Sequence, residues 1–270
     1  MTSLPSTSPS TAPAPAPVSD VTPPDPRRQL LVFAVVAVLV GGFLLGLSTL
    51  LHPGAPFLLG ALVLGLVLPA LVLTHRESGG PGVRALLKDC VRLPRSWWWL
   101  PLAGFALPVL SWTTGAAIGG AEPLTWGAVS FYVLDLLTGA LIINIWEEMA
   151  WTGFFQRRAA AAWGAVAGSL VTSVAFTAIH LPLAFDGAGS AEEVATNTLF
   201  IAGVATGVRL LVARLDVWSG RSLLTIGLLH SSFNATETLL VPSYDWVRIV
   251  TTIAVGVAVV AFGRRVRPTT

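Results

Sequence analysis

The sequence predicts an all-α, polytopic integral membrane protein of about eight transmembrane helices with both termini in the cytoplasm. Two observations carry this. Of 270 residues, 54% are hydrophobic and only 11% are charged, against the roughly 25% charged residues of a soluble globular domain. Apolar runs of the roughly 20 residues needed to cross the hydrocarbon core lie near 30–50, 57–74, 97–118, 127–156, 163–181, 195–213, 222–240 and 246–263.

Taken in order, residues 1–26 hold eight prolines among Ser, Thr and Ala, a composition that cannot build a core and predicts a disordered tail. The first basic residues are Arg27 and Arg28, so the run behind them reads as a retained helix and not a cleaved secretory signal. Turn chemistry separates the later runs: His52-Pro53-Gly54, Ser78-Gly79-Gly80-Pro81-Gly82, Gly119-Gly120, Leu181-Pro182 and Val241-Pro242-Ser243. Segment 83–96 alternates basic and apolar residues before Trp97-Trp98-Trp99, the pattern of an interfacial helix entering an aromatic belt. The chain divides into the tail 1–26, a membrane region 27–126, a core 127–240 and a last helix with a basic tail over 241–270.

Charge sets the orientation. With cytoplasmic termini, 15 of the 16 basic residues, Arg209 among them, fall in cytoplasmic segments. Only Arg248 falls outside, while another outer loop bears Asp186, Glu192 and Glu193, as the positive-inside rule requires. The net charge of +2 with pI near 9.2 therefore reports membrane orientation and not nucleic-acid binding, for which the cations would gather in one patch. A single cysteine, Cys90, excludes an internal disulfide and a cysteine-ligated zinc site.

Ionisable groups inside a bilayer are costly and mark function by default. Four stretches carry them: Trp146-Glu147-Glu148 through Phe154 on the fourth run, Phe176 to His180 ending the fifth, His230 to Glu237 on the seventh, and the lone Asp135. Glu148 lies nine residues from Arg157 and His230 nine from Arg221, so both sit roughly 13 Å from the cytoplasmic surface at about 1.5 Å per residue. His180, 22 residues past Arg158, falls too far outward for a straight helix unless residues 158–165 turn within the interface or the helix tilts. Glu147 and Glu148 differ by about 100° around a helix, so one is expected to act directly and the other to support it. His230 and Asn234, four apart, share a face.

Two imidazoles and a carboxylate are ligands that zinc accepts while keeping a place for water. That set would be Glu148, His180 and His230. A spare glutamate would then serve as general base and Asn234 would donate to a developing oxyanion. A glutamate in a dry site suits proton exchange without a metal as well. Taken alone, either histidine is more simply a helix-packing partner, and interhelical hydrogen bonding is the simpler role for Asp135 and Glu237. His52 and His75 read as surface residues.

In this order, the three patches resemble the CPBP family of intramembrane proteases, which includes CAAX prenyl protease 2, Abi and lysostaphin-resistance-like proteins. That family's pattern is Glu-Glu-x-x-x-Arg-Gly, Phe-x-x-x-His and His-x-x-x-Asn. Here it reads Glu147-Glu148-Met149-Ala150-Trp151-Thr152-Gly153, Phe176 to His180, and His230 to Asn234, with Thr152 at the arginine position. The resemblance implies a multi-pass endopeptidase of the plasma membrane, cutting peptide bonds near the cytoplasmic leaflet. Glu147 or Glu148 would activate water, His180 and His230 would bind metal or assist, and Asn234 would stabilise the tetrahedral intermediate. The missing arginine would orient the glutamates or the substrate. Membrane lipid and a membrane-associated or lipidated peptide are the partners implied. The alternatives are a non-catalytic immunity or scaffold protein and, third, a transporter.

Overall fold

The structure, a computed structural model, describes residues 25–51 and 54–263. Most of the proline-rich tail, His52 and the basic residues from Arg264 onward lie outside them. Eight helices follow one another: α1 (Arg27–Leu50), α2 (Ala55–Cys90), α3 (Trp99–Ala117), α4 (Trp126–Trp163), α5 (Ala165–Phe185), α6 (Ala191–Trp218), α7 (Leu223–Ala235) and α8 (Pro242–Phe262). Seven of these are long and apolar enough to cross a membrane. The exception is α7, a 13-residue helix continued by a single tight turn over Thr236–Leu239. Almost every α7 residue is buried, so its neighbours, and not lipid, satisfy it, and the length rule for a lone span does not bind it.

Two boundaries differ from the sequence expectation. The fourth run was expected to end at residue 156, yet α4 continues through Trp163 and stops only where Gly164 takes φ 84°. Glycine is the residue that reverses the chain there without a Cβ penalty. From Gly164 His180 is 16 residues along α5 and Glu148 is 16 residues back along α4, which removes the apparent mismatch in depth. The second difference is that residues 83–90 extend α2, kinked at Gly79. Only Val91–Trp98 form a separate turn segment.

Within lipid the hydrophobic effect adds little between helices, so close packing and polar contacts hold them. An aromatic cluster of Phe33, Trp151, Phe154, Phe155 and Phe176, centroids 5.2–5.9 Å apart where they touch, joins α1, α4 and α5. A Cβ on Gly227 of α7 would come within 2.8 Å of the Ile145 Cα of α4. That close approach presses α7 against the stretch of α4 bearing the glutamates. Large apolar side chains such as Leu31, Leu39, Phe43, Leu141 and Val174 point outward, as a lipid-facing surface demands.

The two ends of the bundle differ in charge. One end gathers Arg27, Arg28, Arg76, Arg84, Lys88, Arg92, Arg95, Arg157, Arg158, Arg214 and Arg221 at the starts of α1 and α7 and the ends of α2, α4 and α6. Arg157 ties three elements there, donating to Asp89 at 2.6 Å and to Asp216 at 2.7 and 3.0 Å. The opposite end carries Glu122, Asp186, Glu192, Glu193, Glu237 and Asp245 with Arg248, its one lysine or arginine among the described residues. Arg209 belongs to neither: it was expected in a cytoplasmic segment, but it is wholly buried inside the bundle.

Candidate active site

The glutamates sit on a stretch of α4 where regular helix is interrupted on both sides. Wide π-type turns occupy Ala140–Asn144 and Met149–Gln156, flanking Ile145–Glu148. Such turns shift the angular position of side chains and recur at functional sites. The two neighbouring carboxylates consequently have different surroundings, as their angular separation predicted.

Glu148 is fully buried and saturated. Oε1 accepts from Arg209 Nη2 and, at 2.8 Å, from His230 Nδ1; Oε2 accepts from Arg209 Nη1 at 3.0 Å and from the Thr152 hydroxyl. A two-pronged guanidinium–carboxylate pair is the strongest common form of this interaction, and burial makes its integrity matter. Arg209 Nη1 also lies 3.3 Å from Thr152 Oγ1, and its guanidinium rests 5.0 Å from the Phe176 ring centre. The guanidinium absent from position 152 is thus supplied from α6, 57 residues later in the chain. Nothing in the local motif signals Arg209; an arginine with apolar residues on both sides in a membrane span is the one clue.

Glu147 faces the other way. Its side chain is 14% exposed and lies 3.9 Å from His230 Nδ1, and Asn144, one turn back, donates to Oε2 at 3.2 Å. Asn144 is a further member that the sequence reading missed. Its signal was an amide inside an apolar run, three residues before a glutamate.

Both histidines are held through Nδ1. His180 Nδ1 lies 2.7 Å from the Phe176 carbonyl, and its ring stacks on Phe176 at 4.2 Å, so both halves of Phe-x-x-x-His act together. Carbonyl and carboxylate oxygens accept, which makes Nδ1 the protonated nitrogen of each neutral ring and leaves Nε2 a free acceptor. One turn beyond His230, Asn234 is exposed to the cavity, with no side-chain partner among the described residues.

Glu147, His180, His230 and Asn234 line one cavity of about 600 Å³, with apolar walls that include Ile143, Phe176, Phe200, Val204 and Phe233. Glu148 is not among its lining residues. The cavity extends toward the acidic end, past Ser48, Leu183, Asp135 and Arg248. On the arginine-rich side of the glutamates, every residue of Met149–Gln156 is buried. Asp135, expected as an interhelical hydrogen-bond partner, instead lines the cavity and makes no side-chain hydrogen bond among the described residues. Glu237 does bridge helices, to Arg248 at 3.2 Å.

The expected zinc set was Glu148, His180 and His230. Both Glu148 oxygens are already taken, and among the described residues no group of three or more His, Cys, Asp or Glu is placed to hold a metal ion.

Residues 129–236 match the family model described as type II CAAX prenyl endopeptidase Rce1-like. The match encloses all five residues singled out in the sequence, Glu147, Glu148, His180, His230 and Asn234, and also Arg209. No curated protein matches the chain.

Proposed function

The chain belongs, through residues 129–236, to the CAAX-type intramembrane protease family, and on that premise we propose that it hydrolyses peptide bonds of membrane-associated or lipidated peptides with a water activated by Glu147. The observation that carries this is the division of labour between the glutamates: Glu147 reaches the cavity, while Glu148 is locked in a buried ion pair. A carboxylate held by four donors has little basicity to offer, whereas Glu147 keeps oxygen lone pairs for a water proton.

In this reading Glu147 takes a proton from water, and the hydroxide attacks the peptide carbonyl carbon. The water's second O–H is accepted by an Nε2 lone pair of His180 or of His230, which orients it. The carbonyl oxygen becomes an oxyanion, to which the free Asn234 amide donates. Glu147 then passes its proton to the peptide nitrogen, the C–N bond breaks, and the new acid loses its remaining proton to water. Glu148 and Arg209 act through His230, fixing its tautomer and angle. No step is routed through a metal.

The plasma membrane is the proposed location, in keeping with the multi-pass architecture. A non-catalytic immunity or scaffold reading would lean on Thr152 at the family's arginine position; the Arg209 guanidinium paired with Glu148 argues against it. The test is cleavage of a panel of lipidated and hydrophobic peptides by detergent-purified protein. Wild type is expected to cut and Glu147→Gln to be inactive while folded. Equal cleavage by the two would sink the assignment.

A further inference from the structure

We propose that the seam between α1 and α5 is a binding site for one anionic phospholipid, with an acyl chain lying in an apolar channel and the head-group phosphate held at Arg27. The channel shares no lining residue with the cavity of Glu147, and its chemistry is the same whether or not the protein is hydrolytic.

The channel encloses about 720 Å³ between α1, α5 and the end of α4. Its floor holds Ala34 of α1, Ala175 of α5 and Phe155 of α4, the last two buried. Leu31, Leu39 and Val174 stand up as walls, each more than half exposed. The two helices meet closely further along, where a Cβ on Gly41 would come within 2.7 Å of Ile179 Cδ1; nearer Arg27 the small floor residues leave the space open. On α1 the lining runs from Arg27 to Leu39, 12 residues, or about 18 Å at ~1.5 Å per residue. One leaflet supplies about half of the ~30 Å hydrocarbon core, so the channel reaches from the polar surface to near the midplane. Toward the acidic end the same seam continues as a hollow of about 440 Å³ that shares Val38 and Ala178 and is lined by no charged residue.

Charge selects the occupant. Arg27 is the only charged residue lining the channel, and its guanidinium rests 5.8 Å from the ring centre of Trp163 at the rim. Among the described residues its side chain pairs with no carboxylate, since Asp25 accepts from its backbone amide instead, at 2.9 Å. Arg28 is exposed beside it, so the rim sets two guanidiniums against the Asp25 carboxylate. Cations and an indole at head-group level, above an apolar channel one leaflet deep, fit a lipid whose head group carries net negative charge. A zwitterionic lipid offers the same chain but brings its own cation against Arg27 and Arg28, and a soluble anion has no chain to fill the channel.

Native mass spectrometry of the delipidated, detergent-purified full chain tests this, with phosphatidylglycerol and phosphatidylcholine of identical oleoyl chains as probes. One phosphatidylglycerol is expected to bind at least about fivefold more tightly than phosphatidylcholine, the weight of one arginine beside an anionic head group. Arg27→Gln is expected to lower phosphatidylglycerol affinity about fivefold and leave phosphatidylcholine unchanged. Arg84→Gln, which removes an exposed cation at the same end but outside the channel, is expected to change neither. Ala34→Phe fills the floor and is expected to weaken both lipids, while excess inorganic phosphate should displace neither. Equal binding of the two lipids, or an equal loss in Arg27→Gln and Arg84→Gln, overturns the site and leaves only unselective lipid contact or the overall charge of that end. Displacement by inorganic phosphate, or undiminished binding to folded Ala34→Phe, overturns the role of the channel. Arg27 and Arg84 are both exposed, so their comparison decides the matter even if Ala34→Phe does not fold.

Discussion

Arg209→Leu removes the guanidinium from a fully buried pair and leaves Glu148 with only Thr152 and His230 as donors. Breaking a buried pair by deleting one partner costs about 3–5 kcal/mol, a large share of the ~5–15 kcal/mol that holds a typical protein folded. Because Glu148 also sets the position of His230, cleavage is expected to fall about a hundredfold beyond any loss of folded protein. Two further variants separate charge from shape. Arg209→Leu with Glu148→Gln removes both charges, and its stability loss should fall short of the sum of the singles by ~2 kcal/mol or more, since the residues touch. Thr152→Arg alone should destabilise, because residue 152 is packed against Arg209 and Glu148. The same change combined with Arg209→Leu returns the guanidinium to the family position and should recover at least about a tenth of wild-type cleavage. The assays are thermal or denaturant unfolding in detergent and peptide turnover per folded molecule. An Arg209→Leu protein within ~1 kcal/mol of wild type, or strict additivity in the cycle, would refute the reasoning.

Further expectations concern the remaining parts of the site. Removing the oxyanion donor with Asn234→Ala should lower kcat by about 10²–10³ and leave KM and stability nearly unchanged; a change in KM alone would assign Asn234 to binding. Gly227→Ala forces a Cβ to within 2.8 Å of the Ile145 Cα, and overpacking of this kind costs ~1–3 kcal/mol. Because His230 lies one turn further on α7, turnover should fall with it, and a neutral result would mean that α4 and α7 separate freely. Dialysis against a strong chelator should leave cleavage intact. Stoichiometric zinc that disappears with activity in His180→Ala would instead establish a metal site and overturn the assignment of water activation to Glu147 alone.

Architecture was legible because lipid imposes simple rules. A helix crossing it must be long and apolar, and its flanking charges sort by side, so hydropathy exposed the helices and the break at Gly79. The site was legible in part for the same reason. Carboxylate and imidazole are costly in a bilayer, so Glu147, Glu148, His180 and His230 stood out, and the i, i+4 spacing of His230 and Asn234 placed both toward one cavity. Their common depth also followed from rise per residue alone, once α4 is continued to Gly164.

Tertiary structure decided which glutamate is free, where a guanidinium beside Glu148 comes from and which side chains share one cavity. Each depends on contacts between residues far apart in sequence. Arg209 reads as a surface charge until α6 packs on α4 and buries it against Glu148. Asp135 reads as a packing partner until α1, α6 and α8 leave a space beside it. Local spacing specifies which face of its own helix a residue occupies, but what lies across from that face is set by how the helices pack, and that alone divides two adjacent carboxylates into one that is bound and one that can take a proton.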